Sequence, residues 1–143
     1  MSWTVHIDPD ANCTFFKRQG VFDDGEARIA IQYMLDHPNH RSNMNMLHDF
    51  SDVKFPSDIS YDCLSDSFKR NTQQYGDKVV NCKSAIVVGD AQSYMKIHQY
   101  LVSGRLDHSS VERKAFRDIK KAFEWLGIPE NYEINYPEPD ETT

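Results

Sequence analysis

The stretch from Ser84 to Gly89, SAIVVG, narrows the fold more than any other part of the chain. It is uncharged, continuous and β-branched at its centre, and it is bounded by polar residues. A run of this kind reads as a strand buried on both faces, which places it inside a parallel or mixed sheet with helices packed over it. A second interior strand is predicted from Met44 to Phe50. There Met44, Met46 and His48 alternate with Asn45, Leu47 and Asp49, and apolar residues fall on both alternations. Trp3 to Ile7 has the simpler alternation of a half-buried strand. Asp8-Pro9-Asp10 breaks it, and Cys13 to Gln19 returns as the partner of an antiparallel hairpin.

Between these strands the apolar period changes to that of a helix. Ala27, Ala30, Ile31, Met34 and Leu35 share one face of a helix over 26–36, with Asp23 or Asp24 as its cap and Pro38 ending it. Ile59, Cys63, Leu64, Phe68 and Tyr75 mark a weaker second helix that stops at Gly76-Asp77. A third runs over 91–103 with Tyr94, Ile97, Tyr100 and Leu101 inward, and Gly104 is its expected end. A polar strand over 109–116 and a helix over 118–126, closed by Gly127, complete the order ββαβαβαβα. The expected architecture is a single α/β domain over residues 1–128, with a mixed sheet of about five strands and about four helices. Residues 129–143 are acidic and Pro-containing and read as a flexible tail, on which Tyr132, Ile134 and Tyr136 are the residues able to dock.

A chain of 143 residues with 39% hydrophobic and 12% aromatic side chains can bury a real core. Sixteen Lys and Arg against 22 Asp and Glu leave a net charge of −6, which opposes binding to nucleic acid or to anionic membranes. The basic pairs Lys17-Arg18 and Lys120-Lys121 are too small to reverse that balance. No apolar run reaches the eighteen or so residues of a membrane span. The start, MSWTVHIDPD, lacks the basic and apolar regions of a secretory signal. Three widely spaced cysteines, Cys13, Cys63 and Cys82, form no disulfide framework, so a cytoplasmic setting is expected.

Candidate chemistry is sparse. His37 and His40 are spaced for a shared metal only on a helix, and Pro38 lies between them; His48, in a strand, reads as a buried neutral imidazole with a backbone partner. Cys63 is flanked by Asp62 and Asp66, the wrong surroundings for a reactive thiolate. No Gly-rich phosphate loop is present. These features predict neither an enzyme, nor a metal site, nor a cofactor.

The segments LHDFSDVKFP, SAIVVG with the Tyr-containing helix after it, and VERKAFRDIKKAFEWLG together resemble the STAS domain of anti-sigma-factor antagonists, in its broader SpoIIAA-like group. The resemblance covers roughly Trp3 to Ile128. It implies the mixed-sheet fold and a regulatory turn between the third strand and the second helix. In the regulatory members a serine in an Asp-Ser-Ser-Gly-like turn is phosphorylated. Here Asp58 stands at that place, Ile59 follows it, Ser57 and Ser60 are out of register, and no Gly follows. Asp58 thereby imitates part of a phosphate's charge near a helix N-terminus, while the simplest role for Asp58 or Ser57 is the helix cap. The group is also similar in fold to CRAL-TRIO lipid carriers, which implies an apolar ligand pocket.

Two functional expectations follow. The first is a non-enzymatic regulatory or protein-interaction module, binding another protein or a second copy of itself through Asp49, Asp52, Ser57, Asp58 and Ser60. The alternative is a small-molecule or lipid-binding domain with an apolar pocket between sheet and helices, lined by Phe68, Tyr94 and His98; aromatic residues at that spacing equally suit an ordinary core.

Overall fold

In the structure, a computed structural model, residues 2–56, 58–104 and 110–137 are described, with the side chains of Tyr61, Phe68, Thr72 and of residues 102–104 outside that set. The elements run β1 (Ser2–Asp8), β2 (Cys13–Val21), α1 (Asp24–Asp36), β3 (Asn45–Lys54), α2 (Tyr61–Tyr75), β4 (Cys82–Val88), α3 (Ala91–Gly104), β5 (Val111–Phe116) and α4 (Ile119–Leu126). The expected order ββαβαβαβα is the observed one. The sheet order is β1-β2-β3-β4-β5, antiparallel between β1 and β2 and parallel from β2 onward.

That order decides which side of the sheet each helix covers. The crossovers β2-α1-β3, β3-α2-β4 and β4-α3-β5 each step one strand in the same direction. Right-handed crossovers of that kind put all three helices on one face. Ala30, Ile31 and Met34 of α1 pack with Val5, Phe16 and Met46, while Leu64 of α2 and Ile97 and Leu101 of α3 pack with Phe50, Ile86 and Val88. The opposite face falls to α4. Its Ala122, Phe123 and Leu126 pack on Cys13, Phe15, Leu47, Ala85 and Val87. Asp118 caps that helix by accepting from Lys120 N at 2.9 Å, and Gly127 ends it at φ 76°, a left-handed value that glycine adopts freely.

The chain past Gly127 continues across the same face. Tyr132, Ile134 and Tyr136 pack against the α4 cluster, the Tyr132 ring stacks on Phe15 at 5.3 Å, and its hydroxyl donates to Asp8 Oδ2 at 2.5 Å. Residues 138–143 of the expected tail lie outside the described residues.

β3 does not stop at Phe50, as its sequence suggests, but runs on to Lys54. Lys17 pairs with Asp49 and Gln19 with Asp52, so Phe50 and Ser51 together stand opposite the single residue Arg18. This is a bulge, with one extra residue on β3. The Asp49 carboxylate braces it by accepting from Ser51 N at 3.0 Å and from Ser51 Oγ at 2.5 Å. The polar residues that read as a turn are therefore a kink inside a strand. Gly89, just past β4, passes so close to the kink that a Cβ there would sit 2.3 Å from the Ser51 carbonyl oxygen.

Candidate functional site

Strand alternation sends Phe16 and Arg18 of β2 to the three-helix face, and Phe15 and Lys17 to the other. Register carries this across the sheet, since Phe16 lies beside His48, His48 beside Ile86, and Ser84 beside Arg113. The floor beneath α1, α2 and α3 thus contains Arg18, His48, Ser84 and Arg113 among apolar neighbours. A cavity of about 40 Å³ opens above it, walled by Phe22, Ile31, Phe50, Phe55, Leu64 and Ile97 and reached from α2 by Ser67, Asn71 and Tyr75.

Arg18 is the unusual residue. It is 1% exposed, and its guanidinium lies 4.9 Å from the centroids of both the Phe16 and the Phe50 ring. Cation–π attraction to two rings compensates part of the lost hydration. Nη1 donates to His48 Nδ1 at 2.9 Å, whereas Nε is buried with no partner. A charge removed from water is ordinarily matched by a carboxylate. No Asp or Glu is among the described lining residues. Asp49, next along β3 from His48, points to the other face and is held by Ser51, while Asp52 pairs at the surface with Lys17 at 3.8 Å. Burial accordingly lowers the Arg18 pKa to about 10, opposed weakly by Tyr75 and Tyr136. The group remains cationic at neutral pH.

His48 must accept from a guanidinium that can only donate, so its proton sits on Nε2. Burial, and then the charges of Arg18 and Arg113, hold its pKa well below the ordinary value, which leaves it neutral. Its ring stacks on Phe16 at 4.7 Å with the planes 3° apart. The expectation of a buried neutral imidazole is met, but its observed partner is the Arg18 side chain and not the backbone. Burial also raises the pKa of Tyr75, against the pull of Arg113 and Arg18, so its hydroxyl keeps its proton. Arg113, half-buried on β5, has no ion pair with a described residue. Asn71 Oδ1 is buried without a partner. At the carboxyl end of β2 and β3 the cavity is closed by Phe22 stacked on Phe55 at 5.1 Å, with Phe55 edge-on to Phe50 at 5.9 Å. That end of a parallel sheet is where α/β domains commonly place ligands.

The residues singled out from the sequence do not gather into one site. Asp49 is buried in the bulge, and Asp52 and Asp58 are exposed on either side of the turn. Ser57 lies outside the described residues. The cap of α2 is Ser60, whose Oγ accepts from Cys63 N at 3.1 Å, so the helix begins two residues later than a cap at Asp58 requires. Tyr94 is half-buried beside Phe50 and Ile97, and it stacks on the exposed His98 at 5.5 Å; neither lines the cavity. The side chain of Phe68 lies outside the described set. Arg18 reads from the sequence only as half of a small basic pair, and Arg113 is not singled out there. The signal for Arg18 was present, because a Phe-Phe-Lys-Arg run in a strand covered on both faces must put its arginine with one of the phenylalanines.

His40 Nε2 lies 3.1 Å from the carbonyl of Lys78, and His37 Nδ1 accepts from Asn39 N at 3.1 Å. Among the described residues no group of three or more His, Cys, Asp or Glu side chains is placed to hold a metal, and no helix is long and apolar enough to cross a membrane.

Among solved structures, an uncharacterised protein of the DUF3478 family with a SpoIIAA-like fold, from Shewanella loihica PV-4, superposes on 87% of this chain and 94% of its own, with a TM-score of 0.55 and 15% sequence identity. The chain has a SpoIIAA-like fold. No protein-family profile and no curated protein matches it in sequence. The likeness is of backbone, and it agrees with the mixed five-stranded sheet and four helices described above.

Proposed function

We propose that this SpoIIAA-like chain is a non-enzymatic ligand-binding domain that holds a small organic molecule between its sheet and the layer formed by α1, α2 and α3. One observation carries the reading. The three-helix face encloses an apolar-walled cavity lined by a buried, incompletely bonded arginine. Pockets that bind small molecules combine mostly apolar walls with a few convergent polar groups. The test is intact mass of the purified chain under native and then denaturing conditions. A small adduct present only in the native spectrum is the expected result. An adduct-free native spectrum, with no thermal shift from a panel of small amphipathic compounds, would overturn it.

A regulatory reading is favoured by a separate observation. Phe55 closes the cavity and leads directly into the turn that carries the exposed Asp58 and the cap Ser60. In this reading, ligand occupancy moves Phe55 and with it the acidic surface from Asp52 to Ser60 that a protein partner would contact. Hydrogen exchange of the amides at 52–60, with and without bound ligand, tests the link. Identical exchange in the two states would disconnect the turn from the cavity.

A further inference from the structure

Resting on the ligand-binding reading above, we propose that the ligand is an organic acid whose carboxylate is held by the guanidinium of Arg18, with Arg113 as a second positive charge and the apolar part of the molecule directed toward Phe22 and Phe55. The geometry of Arg18 leads to this choice. Nη1 is already engaged by His48, and Nε, on the other side of the fork, is buried with no partner. The Nε–Nη2 edge is the one that receives a planar carboxylate through two parallel hydrogen bonds. Phe16 and Phe50, each 4.9 Å from the guanidinium carbon, fix its orientation.

The surroundings match an anion of one charge with an apolar remainder. The described lining residues supply two arginines and no carboxylate, a balance that favours an incoming anion. Neutral His48 repels neither the guanidinium nor the anion. A space of about 40 Å³ accommodates roughly three waters' worth of polar group, which suits a carboxylate better than a bulky headgroup. The remaining wall is aliphatic and aromatic, and Phe22 and Phe55 meet at the carboxyl ends of the strands, where a longer tail would emerge.

The experiment compares octanoate and benzoate with octanol and benzyl alcohol by titration calorimetry, and adds inorganic phosphate as a separate probe. Hydrogen bonds to a charged group correspond to a preference of roughly 10- to 150-fold for each acid over its alcohol. Arg18→Met should abolish that preference, read as the ratio of acid to alcohol affinity within the same variant. Arg113→Met, at the half-buried edge, should reduce it only in part and keeps the test available if Arg18→Met fails to fold. Equal binding of acid and alcohol to the wild-type chain would overturn the carboxylate assignment and leave the ligand-binding reading intact. Phosphate binding as tightly as either acid, and lost in Arg18→Met, would also overturn it in favour of a different anion. Binding of none of the probes, together with an adduct-free native mass spectrum, would remove both readings.

Discussion

The two faces of one sheet are built to different standards. On the α4 face, Phe15, Phe123 and Tyr132 meet at ring distances of 5.3 to 6.5 Å, and apolar side chains from the sheet, the last helix and the C-terminal segment fill the layer. On the three-helix face the packing is interrupted by an arginine with no carboxylate and by a cavity. The two faces share the same strands and the same hydrogen-bonded ladder. What differs is the filling: one face is closed by apolar side chains, and the other keeps a buried arginine beside a cavity. A local departure from the rule that buried charges are paired is the kind of inconsistency that functional sites show.

The contrast can be broken most forcefully on the dry side. Phe15→Ala, at a fully buried position, should cost about 3–5 kcal/mol in urea unfolding. It should leave the acid-over-alcohol preference unchanged if the variant remains folded. A cost under about 1 kcal/mol would mean that the α4 face is not closely packed either.

Gly89→Ala tests the β3 bulge opposite Arg18. Its new Cβ meets a backbone oxygen at 2.3 Å, which a side-chain rotation cannot relieve. A loss of about 1–3 kcal/mol is expected, with ligand binding weakened as the bulge beside Arg18 shifts. Unchanged unfolding and binding would show that the two strands separate at no cost.

The smallest effect is a pH dependence confined to the cavity side. The folded pKa of His48 lies below its ordinary value of 6.5, so the unfolded chain takes up the proton first as pH falls. The stability contributed by neutral His48 is whole above pH 6.5 and is lost below it, by about 1.4 kcal/mol per pH unit down to the folded pKa. Urea midpoints at pH 7 and pH 5.5 should therefore differ more for the wild-type chain than for His48→Leu. An equal acid sensitivity in both would place the titrating group elsewhere.

The frame of this molecule was legible in its sequence, and the residues that line its cavity were not. SAIVVG could be placed as an interior strand because a continuous β-branched run has few other uses in a domain of this size. The helix over 26–36 was legible from its spacing, and Asp23 is indeed its cap, accepting from Glu26 N at 3.2 Å. The cap of α2 was misplaced because Asp and Ser are equally good cap residues, and Ser57, Asp58 and Ser60 crowd one turn. The extra length of β3 was hidden because Ser51 and Asp52 are turn residues by preference, and only pairing with Gln19, Gly20 and Val21 reveals them as strand. Arg18 and Arg113 lie 95 positions apart, and nothing local joins them. Parallel pairing across β2, β3, β4 and β5 puts them on one face, and that pairing is a property of the whole sheet.

The hydrogen bond from Tyr132 to Asp8 joins positions 124 residues apart. It sets an order on assembly. The three-helix face is supplied by elements complete by Phe116, whereas the other face needs α4 and then the segment through Tyr136. A chain growing from its N-terminus therefore has the cavity-bearing layer within reach while Phe15, Leu47, Ala85 and Val87 still lack their cover. That apolar stripe is the surface most open to mispairing with other chains during synthesis. The arrival of the C-terminal strap is thus the step that ends this exposure.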